Sequence, residues 1–226
     1  MRNILELQTP STDLKRLVMT RKPLIECVSD NDDKKFTYTV TIGRLEDATH
    51  SGFYLEALLI EGALIEDRIR SYLFHLGVFE LRESREANAD IAQKLVEMPG
   101  AKGDKKLGTL KVDTLEAEIA LINATVKWFK RTEAQPDDPF LCAMWVQYRD
   151  YVDTTYLRNV MKSVDRWRKL RNEVIHGLLH KHVEALDGQL PDYYDEGLAI
   201  FRELDQCVEQ VSRGGSIRRA LNLAGW

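Results

Sequence analysis

Arg171, Asn172 and His176 stand together in the run Trp167-Arg168-Lys169-Leu170-Arg171-Asn172-Glu173-Val174-Ile175-His176-Gly177. An imidazole has an unperturbed pKa of about 6.5 and can take or give a proton near neutral pH. A guanidinium can hold two phosphate oxygens at once and stabilise the negative charge that gathers at phosphorus. With a polar amide beside them, these groups suit phosphodiester chemistry in which RNA attacks itself through its own 2′-hydroxyl. No metal is required for such a reaction, and no other cofactor is implied.

Wound as a helix, the run puts Trp167, Leu170, Val174 and Leu178 on one apolar stripe at about 100° per residue. His176 then lies nearly opposite the stripe and Asn172 about 40° from His176, with Arg168 and His180 continuing that row at spacing four. Arg171 falls at the stripe's edge, about 140° from His176, and its long side chain can run along the surface toward the same region. One helix supplies one such set, whereas cleavage needs both an acid and a base. A two-fold dimer that set this polar face against its symmetry mate would gather two arginines and two histidines in one cleft.

Two other readings use the same residues. Glu173 and His176 form an ExxH pair, which in di-iron bundles places two ligands on one helix face. Such a site needs a second ExxH, and His50, His75, His180 and His182 are preceded three places earlier by Asp47, Tyr72, Gly177 and Leu179. Alternatively, Arg171 and His176 are solvent-facing helix residues, His176 being paired with Glu173.

The Arg171-Asn172-Glu173-Val174-Ile175-His176 segment resembles the R-x4-6-H signature of the HEPN superfamily, the higher eukaryote and prokaryote nucleotide-binding domains. The resemblance implies a dimerising helical bundle that acts as a metal-independent endoribonuclease, often a toxin or anti-phage, abortive-infection effector held by an antitoxin or regulatory partner. Arg171 and His176 would be catalytic, Asn172 the polar helper, and the second set would come from the partner subunit. An acidic residue on an earlier helix often accompanies this signature, and Glu66 and Asp67 in Ile65-Glu66-Asp67-Arg68-Ile69 are the candidates. With Arg168, Lys169 and His180 they would make the substrate-facing surface. Leu178 stands two residues after His176, so the subgroup regulated through a tyrosine there is disfavoured. The alternative is a non-catalytic HEPN-like module that binds RNA, a nucleotide or a protein.

The elements that must position these residues are helical. Apolar residues recur at three and four from Gly52 to Leu76, with Gly77 a stop. Further helices are expected at about Ser84 to Glu97, Thr114 to Arg131, Pro139 to His182 with at most one bend, and Asp192 to Val211. Glu61, Glu66, Asp67, Arg68 and Arg70 read as an exposed face with local ion pairs. Trp128, Trp145, Trp167, Tyr148 and Tyr151 read as core. Phe36, Tyr38, Val40 and Ile42 alternate with threonines, the period-two pattern of a short strand ending at Gly43. The expected fold is all-α, an antiparallel helical bundle with a small β element near the N-terminus. Residues 1–50 form an N-terminal extension, 51–213 the bundle with a basic loop at 99–111 carrying Lys102, Lys105 and Lys106, and 214–226 a tail.

At 226 residues, 44% hydrophobic and 30% charged, the composition excludes a wholly disordered chain. No apolar run approaches the roughly 20 residues of a membrane span, so a cytoplasmic, membrane-free protein is expected. Cys27, Cys142 and Cys207 are too dispersed for a disulfide framework or a metal knuckle and are expected as free thiols. The net charge of −4 excludes a globally basic nucleic-acid coat. Between Arg158 and Arg171, however, six basic residues face the single acid Asp165, and that stretch could meet phosphate.

Overall fold

The computed structural model describes residues 32–79, 88, 91, 93–95, 112, 114–177 and 189–222. Among them the regular structure is helical, and no strand occurs. The chain divides into two units, Met1–Ala57 and Leu58–Trp226, and the division falls inside the helix expected from Gly52 onward. No described helix is long and apolar enough to cross a membrane.

In the first unit, α1 (Asp32–His50) occupies the stretch expected as a strand. Alternation from Phe36 to Ile42 is real but local. Over a longer window the buried residues are Tyr38, Ile42, Leu45 and Ala48, spaced at three and four as a helix requires. The threonines that gave the β signal turn their hydroxyls onto the preceding turn: Thr39 Oγ1 donates to Lys35 O, Thr41 Oγ1 to Thr37 O and Thr49 Oγ1 to Leu45 O, each at 2.8 Å. This back-bonding satisfies the threonine hydroxyls within the helix itself, so they need no strand partner. Gly52, at φ +76°, ends α1 with Gly52 N–H donating to Thr49 O and Phe53 N–H to Ala48 O.

From there α2 (Tyr54–His75) leads into the second unit. Its stop is the expected one. Gly77 at φ +81° lets its own N–H reach Phe74 O and Val78 N–H reach Leu73 O, the paired bonds that a left-handed C-terminal residue allows. Then come α3 (Leu115–Arg131), capped by Thr114, and α4 (Pro139–Tyr151), capped by Asp138. The single long helix expected from Pro139 is two helices, because Asp153 starts α5 (Thr154–Gly177) afresh. Its Oδ1 accepts from Thr155 N–H and Tyr156 N–H at 2.9 Å each, an N-cap that an acidic side chain fills well. The last long helix is α6 (Leu190–Ser212). Of the helix expected at Ser84 to Glu97, Asn88 is not helical, Ile91 and residues 93–95 are, and the rest lies outside the described residues, as does the loop 99–111 apart from its neighbour Val112.

Cross-helix bonds fix the packing directions. Tyr156 reaches Gln206 and Arg166 reaches Glu196, so α5 and α6 run antiparallel. Arg68 reaches Asp205 while Glu61 lies at Gly197, so α2 runs parallel to α6. The core between them holds Ile65, Ile69, Leu157, Val164, Trp167, Phe201 and Leu204. Of the aromatic residues expected there, Trp167 and Tyr148 are buried, Trp128 and Trp145 half-buried, and Tyr151 exposed. Of the segment 214–226 expected as a tail, residues 214–222 fold back instead. A 3-10 turn at Arg213–Gly215 feeds α7 (Ser216–Ala220), which packs on α4. Buried Arg218 on α7 donates to Phe74 O and Phe79 O at 2.9 and 2.8 Å, with its guanidinium 3.7 Å from the Phe74 ring centroid.

Candidate active site

The buried face of α5 runs through Leu157, Val160, Val164, Trp167 and Val174, and Arg171 falls in the middle of that spacing rather than at its edge. A cation at such a position needs room and an acceptor. Gly62 on α2 supplies the room: a Cβ there would stand 2.6 Å from Arg171 Nε and 2.7 Å from Cζ. Glu66, one turn further along α2, supplies the acceptor, with Arg171 Nη1 donating to its Oε1 at 3.4 Å. The Arg171 side chain keeps 19% of its surface and Glu66 keeps 45%, so the pair opens to solvent on the glutamate side. Arg171 Nε is buried and has no hydrogen-bond partner among the described residues.

His176 leaves α5 about 140° around the helix from Arg171 and is exposed. Neither His176 nor half-buried Asn172 hydrogen-bonds to a described residue, and His176 makes no ion pair with Glu173. Within one chain, therefore, the structure does not bring Arg171 and His176 together.

Of the two acidic candidates, Glu66 meets Arg171 and Asp67 does not. Asp67 accepts from Arg68 Nη2 at 2.9 Å, and Arg68 Nη1 donates to Asp205 at 2.9 Å. The basic stretch of α5 is also less available than its linear excess of charge suggests. Arg166 pairs with Glu196 of α6, Lys169 with Asp165, and Arg168 with both Asp165 and Glu116 of α3. Burial pushes the Asp165 carboxyl up, but hydrogen bonds from Lys169 and Arg168 outweigh it and hold the group below its usual range. Arg158 and Lys162 remain exposed. His180, Lys102, Lys105 and Lys106 lie outside the described residues, as does Cys27. Cys142 and Cys207 are free thiols.

Two carboxylates near this face escaped the sequence reading, which took α2's charges as an exposed cluster. Glu61 and Arg68 are buried, at 1% and 2% exposure. Their spacing from Leu58, Ile65 and Tyr72 puts them on α2's apolar stripe, the signal that could have found them. Neither Glu61 oxygen has a hydrogen-bond partner among the described residues. Burial, with the charge of Asp195 adding to it, pushes this carboxyl up to about 9, so it is neutral at pH 7. Glu118 on α3 is buried and accepts from Arg70 Nη1 of α2 at 3.1 Å. Burial and the nearby Glu66 outweigh Arg70 and raise it to about 7.

Among the described residues no three His, Cys, Asp or Glu side chains are grouped to hold a metal ion. The arrangement offers a guanidinium shared between a helix groove and solvent, and an exposed imidazole on another face of the same helix. No protein-family model, curated protein or solved structure matches the chain.

Proposed function

We propose that this chain is a HEPN-type endoribonuclease that cleaves RNA, without a metal, at a site shared by two copies of itself. The observation that carries the reading is the bond between Arg171 and Glu66, an acid on an earlier helix meeting the arginine of the R-x4-6-H segment. A single long bond orients the guanidinium without saturating it. His176 is exposed, as a group that must reach a scissile bond has to be.

The chemistry balances with two imidazoles. One takes the 2′-hydroxyl proton as the 2′-oxygen bonds to phosphorus, and a second protonates the 5′-oxygen as its bond to phosphorus breaks, leaving a 2′,3′-cyclic phosphate and a 5′-hydroxyl. Arg171 would hold the phosphate oxygens as charge accumulates, and Asn172 would add a hydrogen bond. The 140° between Arg171 and His176 gives the second copy its role, because the histidine working beside one chain's arginine would come from the partner. A toxin or anti-phage role under an antitoxin belongs to the same proposal.

One observation favours the other reading. The Arg171 side chain is four-fifths covered, as in a helical module that binds RNA, nucleotide or protein without cutting. The test is wild type beside His176→Ala and Arg171→Ala on total RNA and tRNA in excess EDTA, with fragment ends analysed. Cyclic-phosphate ends from wild type alone are expected. Equal cleavage by the variants would refute the site, and a folded, dimeric wild type that cuts nothing would leave the binding module.

A further inference from the structure

Glu66 has two arginines within its reach. Arg171 binds it from α5 at 3.4 Å. Arg70 stands one turn along the same helix, an i,i+4 pair with the acid N-terminal, the orientation in which such pairs attract best. Arg70 is instead turned across to α3. Its Nη1 donates to Glu118 at 3.1 Å, and its guanidinium lies 4.7 Å from the Phe79 ring centroid. Glu118 thus competes with Glu66 for Arg70, and Glu66 is left to Arg171.

We propose that Glu118 is a positioning residue for Arg171, acting through this exchange of partners. While Glu118 is ionised it holds Arg70, and Glu66 engages Arg171. When Glu118 takes a proton, Arg70 turns to Glu66, and Arg171 is released from its carboxylate to face phosphate. The inference rests on reading Arg171 as the cation of the site.

The charged groups around Glu118 fit an exchange of this kind. From α2 it faces Arg70 and Glu66, whose charges act on it in opposite directions. On α5, Arg171 is reached through Glu66, while Arg168 is taken by Asp165 and by Glu116, two residues earlier on α3. With the Glu118 carboxyl raised to about 7, the change falls at neutral pH. Its direction is release on acidification.

The test is isotope-edited NMR of the arginine Nε and Cζ groups in the full-length protein from pH 5.5 to 8.5, with Arg171 assigned by its loss in Arg171→Lys. The Arg171 signal is expected to move with a midpoint near 7 in wild type, reporting the Glu118 carboxyl. In Glu118→Gln it should stay at its low-pH position throughout, with circular dichroism checking that the helices persist. A wild-type Arg171 signal that does not titrate, or one that titrates unchanged in Glu118→Gln, would overturn the proposal. These signals do not depend on catalysis, so a wild type that cleaves no RNA would sink the nuclease reading separately. If it does cleave, the fall in activity on the alkaline side of its pH profile should flatten in Glu118→Gln, and an unchanged alkaline limb counts against the exchange.

Discussion

Arg171 lies across Gly62 so closely that a Cβ at position 62 would stand 2.6 Å from its Nε and 2.9 Å from its Nη2. The glycine is there for the approach of another side chain, with no unusual backbone angle to explain it. It decides where the guanidinium ends, since Glu66 is one turn further along the same helix. Sequence alone marked the arginine and the acid, and a glycine one turn before that acid on the same helix lets them meet.

Gly62→Ala should therefore separate stability from function. The displaced atoms are the far end of a flexible side chain, so the melting temperature should fall by only a few degrees, corresponding to about 1 kcal/mol or less. The Glu66 contact should be lost, and on the proposed nuclease reading RNA cleavage should drop about tenfold or more, because misplacing a catalytic group is costly. Thermal denaturation and single-turnover cleavage on the same preparation check both halves.

Glu61 predicts a pH dependence of stability. Its folded pKa of about 9 lies above the usual carboxylate value of 4.5, so the folded state holds a proton that the unfolded state has given up. The stability from this group is fully present below the unfolded value and is lost as pH rises through the folded one, at about 1.4 kcal/mol per pH unit inside that window. Glu61→Gln stays neutral, so it should gain on wild type steadily from pH 5 to pH 9. Urea melts at one-unit intervals would show it, and parallel curves would refute it.

Tyr72, Tyr148 and Thr125 form a closed chain of buried hydroxyls between α2, α3 and α4. Tyr72 donates to Tyr148 at 3.0 Å, Tyr148 and Thr125 share a bond at 2.7 Å, and Thr125 donates to Ile122 O at 2.7 Å. Since the last bond uses Thr125's proton, Tyr148 is the donor to Thr125. Tyr148→Phe removes the middle link and leaves the Tyr72 hydroxyl without its acceptor, a loss of about 1–3 kcal/mol. Tyr72→Phe, at the end of the chain, should cost less, and denaturant melts of the two variants would show the order.

Arg218 ties α7 to the turn after α2 by two bonds to carbonyls. Arg218→Met keeps much of the stem's bulk but leaves Phe74 O and Phe79 O without that donor, at a cost of about 3 kcal/mol. Hydrogen exchange should quicken first in residues 213–222 and at the end of α2. Uniform exchange across all helices would show instead that α7 opens only with the whole unit.

What the sequence by itself determined is local. Helix spans, the Gly77 stop, the Thr114 cap and the membership of Arg171, Asn172 and His176 in one late helix follow from interactions within four residues along the chain. Where a local pattern misled, as in the alternating threonines of α1, a competing pattern over a longer window was present in the same residues. The break at Asp153 is likewise written locally, as an acid before Thr154 that caps the next helix without any Pro or Gly. Tertiary packing alone decided which acid meets Arg171, why Glu61 is neutral, and how far the basic stretch of α5 is balanced by Glu116, Glu196 and Glu66. Those outcomes depend on which residues of α2, α3 and α6 come within a few ångströms of α5. Charge and burial act through space at that range, and spacing along one chain does not contain it.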